Sequence, residues 1–74
     1  MGLLPQVSSK EVVRVLEMLG YYFDVQHGSH IIMRHSSPPY RRVTVPNHKT
    51  IAKGTLRSII KEVGLTVDEF KTMV

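Results

Sequence analysis

Apolar and polar positions along the 74 residues alternate with two different periods, and each change of period marks an element. Ser8-Ser9-Lys10-Glu11 has the form of a capping box, in which a hydroxyl meets the backbone of a Glu three residues on and that Glu reaches back. Val12, Leu16 and Leu19 follow at helical spacing, with Val15 beside them. Gly20 ends the run, so a helix is predicted over about residues 9–19. From Tyr21 the period shortens to two. Tyr21, Phe23 and Val25 alternate with Tyr22, Asp24 and Gln26, the pattern of a half-buried strand over 21–26. His27-Gly28-Ser29 reads as the turn. A second strand follows over His30–His35, whose continuous run Ile31-Ile32-Met33 leaves its buried face open.

Ser36-Ser37-Pro38-Pro39 cannot continue a ladder and reads as a loop. Arg41–Val45 is a third strand, with Val43 and Val45 on one side and Arg42 and Thr44 on the other, stopped by Pro46. Residues 47–53 form a polar connector. Leu56, Ile59, Ile60 and Val63 then define a second amphipathic helix closed by Gly64. Thr66-Val67-Asp68-Glu69 repeats the capping box and opens a short helix through Met73. Residues 1–7 carry no pattern and read as a loose leader to a single domain. The order α-β-β-β-α with a terminal helix predicts an α+β fold. Its simplest form is a three-stranded antiparallel meander with both long helices on one face, as in double-stranded-RNA-binding domains.

Composition narrows the chemistry. The chain has no cysteine, which removes disulfides, thiolate nucleophiles and the usual structural zinc sites. No apolar run approaches the roughly 20 residues that span a bilayer. Met1-Gly2-Leu3-Leu4-Pro5 is too short for a signal core, and Gln6 breaks the myristoylation pattern after Gly2. A soluble, cytoplasmic protein without a membrane association is expected. The net charge is +4, but its distribution says more. From Val25 to Lys61 there is no Asp or Glu, while seven Lys or Arg and all four His fall in that stretch. The remaining three cations and six acids net to −3. A basic middle between mildly acidic ends points to an anionic partner such as nucleic acid.

With no thiol, no carboxylate pair in the basic stretch and no phosphate-binding glycine loop, histidine is the remaining catalytic type. An unperturbed imidazole, with a pKa of about 6.5, suits acid–base work near neutrality. RNA needs few protein groups for cleavage, because its own 2′-OH attacks the adjacent phosphorus once a base removes the proton. Cations then stabilise the phosphate oxygens. Histidine amid Arg and Lys fits this metal-free route, whereas two-metal cleavage needs several carboxylates. No cofactor and no metal site is expected. His30, behind Gly28-Ser29, stands where a glycine turn permits close approach of a backbone, and Ser29 can donate to a phosphate oxygen. His27 flanks the same hairpin, His35 closes the second strand, and His48 follows the third. Arg57 and Lys61 share a helix face away from Leu56 and Ile60. Of Tyr21 and Tyr22, which raise base stacking as an option, one is expected in the core and the other at its edge. By residue type and spacing alone, all four histidines stay candidates.

In its ordered pieces the chain resembles the HicA-type mRNA interferase toxins. The pieces are Ser9-Lys10-Glu11, Leu19-Gly20-Tyr21, Gly28-Ser29-His30, Arg34-His35 and Val43-Thr44-Val45-Pro46 with His48 two residues on. Lys53-Gly54-Thr55-Leu56-Arg57-Ser58-Ile59 and Gly64-Leu65 complete them, so the resemblance runs from Ser8 to about Phe70. It implies a fold like that of double-stranded-RNA-binding domains and a toxin that blocks translation by cutting mRNA. The family's catalytic histidine falls on His30. Gly28, Ser29, His27, Arg34, Lys53 and Arg57 are then candidates for RNA contact. The implied partner is a HicB-type antitoxin that covers the active site; the toxin is a monomer alone and a hetero-oligomer with it. Two positions depart from the family pattern. His27 stands where Lys is common, and Ser36-Ser37-Pro38-Pro39-Tyr40 replaces the commoner turn after His35.

The competing readings are a non-catalytic RNA-binding module of similar fold and a small protein that only binds another protein. Against the first, the chain lacks the Lys-rich helix start with which double-stranded-RNA binders grip phosphates, since Lys53 stands alone there.

Overall fold

A computed structural model of the protein describes residues 4–74. Its elements are α1 (Ser9–Met18), β1 (Tyr21–His27), β2 (His30–His35), β3 (Arg42–Pro46), α2 (Lys53–Glu62) and α3 (Val67–Met73). The sheet is an antiparallel meander in the order β1-β2-β3. Both expected capping boxes form. Ser8 caps α1, its backbone N–H donating to Glu11 Oε1 at 2.9 Å while its hydroxyl accepts from the Glu11 N–H. Thr66 and Glu69 do the same for α3.

The helical stripes meet one face of the sheet. Val12, Val15 and Leu16 of α1 and Leu56, Ile59 and Ile60 of α2 are buried with Tyr21, Met33, Val43, Val45 and Phe70 in one core. Val43 and Val45 point inward while Arg42 and Thr44 are exposed, as the alternation of that strand requires. β2 resolves its ambiguous run through Met33, which is completely buried at the centre of the sheet.

In β1 the pattern does not hold. Tyr21 is buried, but Phe23 and Val25 are 54% and 38% exposed. The pairing runs Phe23↔Met33 and then Val25↔Ile32, so a bulge at Asp24 interrupts the ladder. One inserted residue transfers the rest of the strand to the other face. Val25 therefore joins Ile32 on the side away from the helices, and Gln26 takes the helix side opposite Ile31.

The expected leader also differs. Residues 1–3 lie outside the described residues, but Leu4 and Val7 are buried in the core. The Ile51 N–H donates to the Val7 carbonyl at 2.8 Å, which ties residues 4–7 to the connector before α2. A thin core gains from any nearby apolar side chain, and two in this segment suffice to anchor it. No helix among the described residues is long and apolar enough to cross a membrane.

The bulge makes a prediction that distinguishes the two faces. Met33→Ala should cost about 2–5 kcal/mol, the range for truncating a fully buried side chain. Val25→Thr, which keeps the β-branch, should stay within about 0.5 kcal/mol as a surface change. Urea unfolding of both variants checks this, and a core-sized loss at Val25 would contradict the bulged register.

Candidate functional site

The sheet face turned away from the helices is built by the same pairing that builds the core. His30, Ile32 and Arg34 of β2 alternate with the inward Ile31, Met33 and His35. Across the sheet they form three rows. The first is His27–His30–Pro46, the second Val25–Ile32–Thr44, and the third Tyr22–Arg34–Arg42. The bulge at Asp24 is what brings His27 and Val25 into these rows.

The first row sits at the β1–β2 turn. Gly28, at φ +58°, and Ser29 form a two-residue connection with His27 paired to His30. Glycine at the first turn position is what such a tight hairpin requires. A Cβ added at Gly28 would meet nothing within 4 Å, so this side of the turn is open to an approaching backbone. The turn is braced from below. The Ser29 carbonyl accepts from the Asn47 N–H at 2.6 Å, and the Gly28 carbonyl accepts from Gln26 Nε2 at 3.0 Å. The Ser9 N–H donates to the His48 carbonyl at 3.0 Å, and Ser9 Oγ donates to Asn47 Oδ1 at 3.2 Å. The start of α1, the hairpin turn and the connector before α2 are thus joined at one end of the molecule.

The four histidines separate by their partners. His35 is built into the fold. Its Nδ1 accepts from the Ser37 N–H at 3.0 Å, so Nε2 carries the proton that it donates to the Leu19 carbonyl at 2.9 Å. Its ring also meets the buried Tyr21 edge-on at 4.8 Å. Among the described residues, the rings of His27, His30 and His48 make no hydrogen bond, and all three are exposed. His27 and His30 are direct cross-strand neighbours on the open face, where paired Cβ atoms lie about 4.5–5.5 Å apart. His48 lies in the connector, beyond the strands.

The candidate cations fall into two groups. Arg34 lies on the open face two rows from His30, about 13 Å away by the rise of a strand. It bonds Asp24 at 3.3 Å, a half-exposed pair of modest strength, and reaches the Tyr40 carbonyl at 3.4 Å. Lys53 and Arg57 are exposed on α2, in the layer behind the sheet. The structure does not bring these two together with His30. Sequence reasoning raised Tyr22 only as a stacking option beside Tyr21, without placing it on this face, and it passed over Arg42 as a site residue. The alternation of β3 already placed Arg42 opposite the core, but without the buried face of β2 nothing tied it to His30. No group of three or more His, Asp or Glu side chains is arranged to hold a metal ion among the described residues.

A family model described as the HicA toxin of bacterial toxin–antitoxin matches residues 9–65. The chain belongs to the HicA toxin family. The match covers α1, the whole sheet and α2, so α3 is the described element beyond it. No curated protein sequence matches the chain.

In this HicA-family domain the Gly20–His35 contact is part of the scaffold behind the site. Gly20 has φ +97°, and a Cβ there would stand 2.9 Å from His35 Nε2. Gly20→Ala should therefore cost about 1–3 kcal/mol through backbone strain alone. The clash adds to that cost. In a Gly20→Ala/His35→Ala double variant, stability loss in thermal unfolding should be less than the sum of the single losses. Simple additivity would show that the two residues do not meet.

Proposed function

We propose that this HicA-family chain is an mRNA interferase, an endoribonuclease that cuts RNA without a metal ion and so blocks translation. The observation that carries the reading is the position of His30. Its ring is exposed on the open sheet face, next to a braced glycine turn and to a second free imidazole, His27. His35, by contrast, has both ring nitrogens engaged by the backbone.

The chemistry follows from those groups. An imidazole takes the proton of the 2′-OH as that oxygen attacks phosphorus. The bond from phosphorus to the 5′-oxygen breaks, and an acid returns a proton to the leaving oxygen. The products are a 2′,3′-cyclic phosphate and a 5′-hydroxyl. His30 acts as the acid–base residue, and His27 is the second imidazole within reach of the same phosphate. The Ser29 hydroxyl donates to a phosphate oxygen, and Gly28 lets the RNA backbone approach the turn. Arg34 is too far along the strand for the scissile phosphate and holds a flanking one. Lys53 and Arg57 act as long-range charge that draws RNA toward the domain.

Family membership supports an antitoxin partner, and we assign it to the HicB type. Covering the open face at His30 is the direct way to silence such a site. In this reading the chain alone is a monomer and pairs with the antitoxin as a hetero-oligomer, in the cytoplasm where both substrate and partner are made.

Expression in a bacterial host should arrest growth and degrade mRNA. His30→Ala should remove both effects and slow cleavage by purified protein roughly 10²- to 10⁴-fold, the usual contribution of an acid–base residue. Its circular dichroism should match the wild type, because His30 lies outside the core. A His30→Ala variant as toxic as the wild type would overturn the assignment. Wild-type protein that binds RNA tightly without cutting it would instead favour the non-catalytic binding module. Incubation with EDTA should leave the cleavage rate unchanged, and loss of activity that added divalent ion restores would refute the metal-free route.

A further inference from the structure

The ribonuclease reading concerns the row at the turn and, Arg34 apart, leaves the rest of the open face without a task. That face has a graded composition. Imidazoles lie at one end, the apolar side chains of Val25 and Ile32 in the middle, and an aromatic ring with two guanidinium groups at the other end. Tyr22 is 46% exposed there, while Tyr21 on the reverse side is buried. The carboxylate on this face, Asp24, is engaged by Arg34. Arg42 is exposed and makes no ion pair among the described residues.

We propose that the open sheet face is a track for single-stranded RNA, in which Tyr22 stacks on a base and Arg42 holds a phosphate downstream or upstream of the one at His30. The inference rests on the ribonuclease reading for the position of the cut, and on the face itself for the class of RNA. A duplex presents its charged backbone to a flat surface, and that would set phosphates against Val25 and Ile32. A single strand turns its bases to the apolar middle and its phosphates to the cations at the ends. A half-exposed tyrosine ring gains a stacking partner only from an unpaired base. Attack by the 2′-OH also needs the leaving oxygen in line, a geometry that a regular helix holds the strand away from. The two end rows are about 13 Å apart by strand rise, so a short strand reaches both.

The test uses full-length protein and a labelled 2′-O-methyl RNA strand, which has no 2′-OH nucleophile and cannot be cut. Binding is measured by fluorescence anisotropy across a salt series, for the strand alone and for its blunt duplex. The single strand should bind more tightly than the duplex. Tyr22→Ala should weaken single-strand binding roughly 5- to 100-fold, the range for loss of one stacked base, while Tyr22→Phe should retain it. Arg42→Ala should lower the slope of log affinity against log salt by about 0.7, the value for one phosphate contact to a single strand. Preference for the duplex would overturn the track. So would wild-type binding by both Tyr22→Ala and Arg42→Ala, or a larger loss from Arg57→Ala, which would move the RNA to the helix layer. A parallel assay with unmodified RNA separates this proposal from the one on which it rests. Cleavage that survives neutral Tyr22 and Arg42 substitutions removes the track alone. Absence of cleavage, with binding lost in both variants, removes the nuclease reading and keeps the track.

Discussion

Burial of Met33 between the helices and the centre of the sheet fixes the direction of every side chain in β2. A strand alternates strictly, so once Met33 faces inward, His30, Ile32 and Arg34 face outward. β2 is the middle strand, and its two ladders transmit that choice to β1 and β3. The core and the candidate site are therefore two sides of one packing decision. A register slip of one residue would bury His30 and Arg34 and expose Met33, an exchange the core cannot tolerate.

This explains what could be read from residue order and what could not. The helices declared themselves through caps and stripes, because Ser8–Glu11 and Thr66–Glu69 are local arrangements that need no tertiary information. β3 was equally legible, since Val43 and Val45 alternate cleanly with charged or polar neighbours. β1 was not. Tyr21, Phe23 and Val25 form an unbroken alternation, and nothing local to Asp24 announces a bulge. The bulge lies on an edge strand, where such irregularities discourage pairing with other chains. The anchoring of Leu4 and Val7 was hidden for a similar reason. Their partner, the connector around Ile51, lies more than forty residues away.

The candidate site shows the same division. Gly28-Ser29-His30 was visible as a motif, but spacing could not rank four histidines. The fold ranks them by occupation and by place, since the ring of His48 is free but lies in the connector beyond the strands. His35 is held by the Leu19 carbonyl, the Ser37 amide and the Tyr21 ring, and serves the scaffold. His27 and His30 are left free and side by side, and the bulge is what aligns them, since it returns β1 to the register in which His27 faces the open side. Lys53 and Arg57 looked equal to Arg34 as sequence cations. They differ because α2 lies on the other layer.

A chain of this size has little choice about leaving one face uncovered. The described residues span only 16 Å along their shortest axis, which is one sheet and one layer of helices. All three helices contribute to the single core on one side, so none remains to cover the other. Tyr22, Val25 and Ile32 consequently stay at or near the surface, at a cost that a purely structural domain could avoid with polar residues. In the proposed function that cost is offset by use. RNA and an antitoxin would compete for the same rows, because any partner that shields His30 from a phosphate must also lie over Ile32 and its neighbours. Inhibition then needs no rearrangement of the toxin. The rigid sheet that positions the histidines is also the surface that a partner has to match.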